Sequence, residues 1–108
     1  MAMLIRYAVS AGHYNEAEAL AQQAYYKQPN PANEALLEQV RHQRNLALQI
    51  ALASAQRAQD KRDWATLRKE TARALAIDLR NPQALAFASW MAERGIVRGW
   101  QVGDNQRQ

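Results

Sequence analysis

The 108-residue chain has no cysteine. This excludes disulfides, thiolate metal sites and cysteine nucleophiles. Glycine and proline are scarce, with four and three copies, so long stretches run without a helix breaker. No apolar run approaches the roughly 18 residues that a membrane span requires. The opening Met1-Ala2-Met3-Leu4-Ile5-Arg6 lacks the long apolar core of a signal peptide. No membrane partner is therefore expected, and a cytoplasmic location is the default. Histidine occurs twice, as His13 and His42. His42 follows Glu38 by one helical turn, but two ligands do not make a metal site, so no metal and no other cofactor is expected.

What is present is alanine, at about a fifth of the chain. Such a composition favours helix over strand. Alanine at helix contacts allows close approach but buries little area, so a few large residues should dominate the core, among them Trp64, Leu67, Leu85, Phe87 and Met91. The net charge is +4, and it is uneven. Residues 1–40 carry two basic and four acidic groups, whereas residues 41–108 carry twelve and six. The basic half could meet an acidic peptide or a nucleic acid. A solvated helix surface is the simpler account.

Periodicity divides the chain into five helices. The first covers residues 2–11 and is closed by Gly12 as a left-handed cap. The second runs over 15–28, where Ala17, Leu20, Ala21, Ala24 and Tyr25 share one face. Pro29-Asn30-Pro31 stops it and starts the next, with Asn30 as N-cap and Pro31 at the first helical position. Residues 32–59 contain neither glycine nor proline. They predict one long central helix that passes through the polar run Arg41-His42-Gln43-Arg44-Asn45. A break within that run is the alternative. A fourth helix spans 64–78 behind the cap Asp63, and a fifth runs from Pro82 to Arg94 and ends at Gly95. The domain is thus residues 1–94, followed by a polar tail over 95–108.

Two segments repeat a pattern. Gly12, Tyr14, Ala17, Ala21, Ala24 and Pro29 mark the turn, second helix and stop of one hairpin. Ala55, Ala58, Trp64, Leu67, Thr71 and Ala74 mark a second. The set resembles the tetratricopeptide repeat family (TPR), whose period is 34 residues. The resemblance implies TPR-like antiparallel helical hairpins in a short right-handed α-solenoid or bundle, used as a scaffold for protein–protein interaction. This chain departs from the family in three ways: Tyr14 and Trp64 are 50 residues apart, Arg62 stands where the first hairpin has Gly12, and Leu79 replaces the closing proline. With about two and a half repeats, the module is near the minimum for independent stability, which points to a homodimer or a larger assembly.

No catalytic constellation emerges. Glu16 and Glu18 do not share a helix face. Glu34 and Glu38 do, but first-turn charge compensation explains most of the carboxylates, and the serines lie in no nucleophile motif. The expectation is a non-catalytic module, not an enzyme, that binds a protein or peptide partner, with an acidic one favoured by the basic half. The candidate binding residues are Tyr26, Arg41, Arg44, Arg57, Arg68 and Trp90. Tyr25 and Tyr26 are adjacent, so one must face outward. Trp90 falls off the Ala84, Phe87, Ala88, Met91 stripe, and Trp100 lies in the tail. The alternatives are a basic helical nucleic-acid-binding domain, and a helical accessory subunit of an enzyme or secretion assembly. The first is disfavoured because its basic residues lack interleaved aromatics.

Overall fold

The computed structural model describes residues 2–96. Within them lie five α-helices and no strand: α1 (Ala2–Ser10), α2 (Tyr14–Lys27), α3 (Pro31–Lys61), α4 (Trp64–Ile77) and α5 (Pro82–Glu93). The expected all-α class is therefore the one observed. The tail from residue 97 onward, including Trp100, lies outside the described residues.

Helix ends follow from identifiable residues. Gly12 sits at φ 82°, the His13 N–H donates to the Ala8 carbonyl at 2.8 Å, and the Gly12 N–H donates to Val9 at 3.0 Å. This is the Schellman closure. It recurs after α3, where Asp63 donates to Ala58 at 2.8 Å and Arg62 donates to Gln59 at 3.1 Å. It recurs again after α5, where Ile96 donates to Met91 at 2.8 Å and Gly95 to Ala92 at 3.2 Å. Arg62 takes the left-handed conformation, φ 60°, that glycine takes at the other two ends. A side chain costs roughly 1–2 kcal/mol in that region. Arg62→Gly is therefore expected to raise stability by about 0.5–1 kcal/mol after the glycine's larger unfolded-state entropy is deducted, measured by urea unfolding.

The starts of α3, α4 and α5 are capped by short polar side chains. Asn30 accepts from the Asn33 N–H at 2.8 Å, ahead of Pro31. Asn81 accepts from the Ala84 N–H at 2.9 Å, ahead of Pro82. The Asn33 side-chain amide donates to the carbonyls of Gln28, at 2.9 Å, and Ala24, at 3.2 Å, and so ties the end of α2 to the start of α3. The polar run 41–45 lies inside α3 without interruption, because nothing in it withdraws a backbone donor.

Asp63 caps α4, accepting from Thr66 Oγ1 at 2.7 Å and from the Thr66 N–H at 3.2 Å. The Thr66 hydroxyl first, then its N–H, and more weakly the Lys61 charge hold the Asp63 carboxyl below its ordinary 3.8, with desolvation opposing them. A depressed folded-state pKa gives stability that is complete above the unfolded value and is lost as pH falls through the lowered one. Asp63→Asn is expected to flatten that acid limb below about pH 4, as read by thermal melts across the acid range.

The chain forms two compact units, Met1–Ala47 and Leu48–Gln108. In the first, Ile5, Ala8, Ala17, Ala21, Leu37 and Val40 form a buried cluster, with Val9, Leu20 and Leu36 packed against it. Alanines 17 and 21 are fully buried, which allows the helices to approach closely. In the second, Leu48, Ala51, Leu52, Ala55, Ala58, Leu67, Ala74, Phe87 and Met91 are buried. Of the large residues expected to dominate the core, Leu67, Phe87 and Met91 are buried, Trp64 is half-buried, and Leu85 is 45% exposed.

Candidate functional site

The charged and aromatic residues singled out from sequence fall in both units. Tyr26 is 84% exposed, while Tyr25 is half-buried. Arg41 Nε donates to Glu18 Oε2 at 2.9 Å. Arg44 Nε lies 3.7 Å from Glu18 Oε1 and donates to Asn15 Oδ1 at 3.1 Å. Both guanidiniums of α3 thus converge on one carboxylate of α2. All three groups are partly exposed, so the cluster stabilises the hairpin only modestly. A ligand approaching Arg41 or Arg44 would compete with Glu18.

In the second unit, Arg57 donates to Ser54 Oγ at 3.2 Å. Trp90 packs on Trp64, ring centroids 5.5 Å apart at 45°, and the Arg94 guanidinium lies 4.2 Å above the Trp90 ring. That cation–π contact and the ring pair give Trp90 a packing role. Its remaining surface borders a shallow hollow with Gln56, Gln59 and Gln83. Arg68 borders a different hollow, between α4 and α5, floored by Thr71 and Met91 and walled by Leu75, Ala88 and Ile96. Arg57 lines neither of these two hollows.

Thr71 is 2% exposed, and its hydroxyl has no hydrogen-bond partner among the described residues. An unmet buried hydroxyl is destabilising. Thr71→Val keeps the shape and removes the polar atom, and is expected to add about 1 kcal/mol of stability, read by chemical denaturation.

A recess lies in the first unit, between α1 and the first half of α3, with a volume near 490 Å³. Ile5, Val9, Leu36 and Val40 are its apolar lining, and Arg6, Ser10, Gln39 and Gln43 are its polar lining. The helical periods put them there: Ile5 and Val9 are one turn apart on α1, and Leu36, Gln39, Val40 and Gln43 step along α3. Ser10 Oγ donates back to the Arg6 carbonyl at 3.0 Å. The Gln39 and Gln43 amides, each able to donate and accept, make no hydrogen bond among the described residues, and Arg6 has no ion pair among them.

Sequence reasoning passed over Arg6, Gln39 and Gln43. Glutamines on a long helix look like ordinary solvated positions. The signal that was present is their spacing, Leu36 and Val40 beside Gln39 and Gln43, an apolar pair flanked by an amide pair. Among the described residues, no three histidine, aspartate or glutamate side chains gather as metal ligands, and no helix is long and apolar enough to cross a membrane. No family model, no curated protein and no solved structure matches this chain.

Proposed function

We propose that this chain is a non-catalytic protein–protein interaction module, a TPR-like hairpin scaffold whose α1/α3 recess receives an extended segment of a partner protein. The observation that carries the reading is the recess itself. An apolar floor is bordered by two side-chain amides and one guanidinium that make no hydrogen bond and no ion pair, respectively, among the described residues. Amides with free donors and acceptors suit a peptide backbone, and the guanidinium suits a carboxylate on the segment. The recurrence of one closure at Gly12, Arg62 and Gly95 favours repeated hairpins, although the spacing of the first two departs from the family's period.

The test is selection from a random 12-residue peptide library on the whole chain, followed by titration of the binders. Selected peptides should bind through the recess, and the variant Arg6→Glu/Gln39→Glu, at two exposed positions of its rim, should weaken them at least tenfold. Binders indifferent to that variant, or a selection that yields none, would remove the recess as the site.

The excess of basic residues in Leu48–Gln108, ten against six acidic, favours a second reading as a nucleic-acid binder. That reading requires binding of duplex or single-stranded nucleic acid that falls steeply with salt, and it fails if none binds at low salt.

A further inference from the structure

Each unit repeats the other's construction at a step of 50 residues. At the end of α1, Ala8 and Val9 accept from His13 and Gly12, and at the end of α3, Ala58 and Gln59 accept from Asp63 and Arg62. Helices α2 and α4 both have 14 residues, and both end on the same bond, Gln28 donating to Ala24 and Asp78 to Ala74. Burial keeps the same step. Ile5, Ala8, Ala17, Ala21 and Ala24 are buried, and so are Ala55, Ala58, Leu67, Thr71 and Ala74. Asn30-Pro31 then starts α3 with the cap that Asn81-Pro82 gives α5. Helix α3 serves twice, its first half ending one repeat and its second half beginning the next.

This correspondence carries the α1/α3 recess into the second unit. Arg6 and Val9, counted from the closure, match Gln56 and Gln59. Leu36 and Gln39, counted from the proline, match Phe87 and Trp90. The first four line the recess. The second four line the hollow between the latter half of α3 and α5, where Gln83 and Ala86 join them. Its volume is about 250 Å³, smaller because two aromatic rings replace a leucine and a glutamine. Its edge has the opposite charge. The recess has Arg6 and Ser10 where the hollow has Gln56 and Asp60. Gln56 Nε2 donates to Asp60 Oδ1 at 3.1 Å and to Gln59 Oε1 at 3.2 Å, and Asp60 has no ion pair among the described residues. The guanidiniums close in sequence are engaged elsewhere: Arg57 donates to Ser54, and Arg94 lies over Trp90 with Glu93 3.6 Å away.

We infer that the α3/α5 hollow is a second binding site, for a segment that sets an apolar side chain against Phe87 and Trp90 and a lysine or arginine against Asp60. A charge-assisted bond to that carboxylate acts at contact, whereas the surplus of basic residues elsewhere in the unit is screened over roughly 8 Å at physiological salt. The inference rests on reading the α1/α3 recess as a peptide site, because the correspondence transfers that role. The chain then takes two segments, an acidic one in its first unit and a basic one in its second.

The test is selection from a random 12-residue peptide library on the full chain carrying Arg6→Glu/Gln39→Glu, which disables the recess. Circular dichroism checks that helicity is kept. The binders should combine lysine or arginine with a large apolar residue. Adding Asp60→Lys/Gln83→Lys, both at exposed positions, should weaken them at least tenfold. A selection that yields no binder overturns the inference. So do binders rich in acidic residues, or binders indifferent to Asp60→Lys/Gln83→Lys. The recess is judged separately, by whether peptides selected on the unaltered chain lose affinity with Arg6→Glu/Gln39→Glu, so either site can fail without the other.

Discussion

Replacing Leu67 with alanine is expected to cost about 3–4 kcal/mol of unfolding free energy. Leu67 is fully buried, and of the buried positions that follow it on α4, Glu70 is engaged by Arg73 while Thr71 and Ala74 carry short side chains. Short neighbours cannot reach into the space a missing isobutyl group leaves, so the cavity stays open and the loss sits toward the upper part of the usual range. A chain of this size has of order 5–15 kcal/mol in total, so one such change removes a large fraction of it. Leu85 provides the contrast. It is a leucine of the same unit but 45% exposed, and Leu85→Ala is expected to cost less than about 1 kcal/mol. Urea unfolding of the two variants beside the parent checks both numbers. A Leu67→Ala loss below that of Leu85→Ala would mean that Leu67 does not lie in the core.

Asn45→Pro is expected to cost about 3 kcal/mol or more. Asn45 is exposed and lies inside the unbroken α3. The substitution therefore acts almost wholly on the backbone, removing the N–H that donates one turn back and pressing the ring against the carbonyl of Arg41. Asn45→Ala provides the control and should be neutral or slightly stabilising. Circular dichroism with thermal melting reads both. A proline tolerated within about 0.5 kcal/mol would place a helix break in the 41–45 run, the alternative that the sequence left open.

The helices were legible because their punctuation is chemical and local. Gly12 closes α1, Asn30-Pro31 and Asn81-Pro82 open α3 and α5, and Asp63 opens α4. Each acts within four or five residues of itself. Arg62 was not legible as the left-handed closure of α3. Arginine ordinarily avoids that conformation, and only the two backbone hydrogen bonds around it identify the turn as the same one that glycine makes elsewhere.

The candidate site was less legible than the fold. Arg41 and Arg44 stand out in the sequence by their charge, but Glu18, more than twenty positions earlier, engages both. No local pattern announces a contact at that separation. Trp90 is an aromatic off the core stripe, and it is held between Trp64 and Arg94. Tyr26 remains strongly exposed, as the pairing with Tyr25 requires on a helix. The recess proposed as the binding site draws on α1 and α3, elements thirty residues apart, and it is lined by residue types that carry no compositional signal of function.

The central claim is that the α1/α3 recess holds a partner's peptide segment. Its most direct test is chemical-shift mapping of the isotope-labelled chain with the tightest peptide from the library. The account predicts that the shifts cluster on Arg6, Ser10, Gln39 and Gln43 and on the apolar residues between them. Shifts confined to the basic side chains of Leu48–Gln108, or spread without focus over the surface, would contradict it.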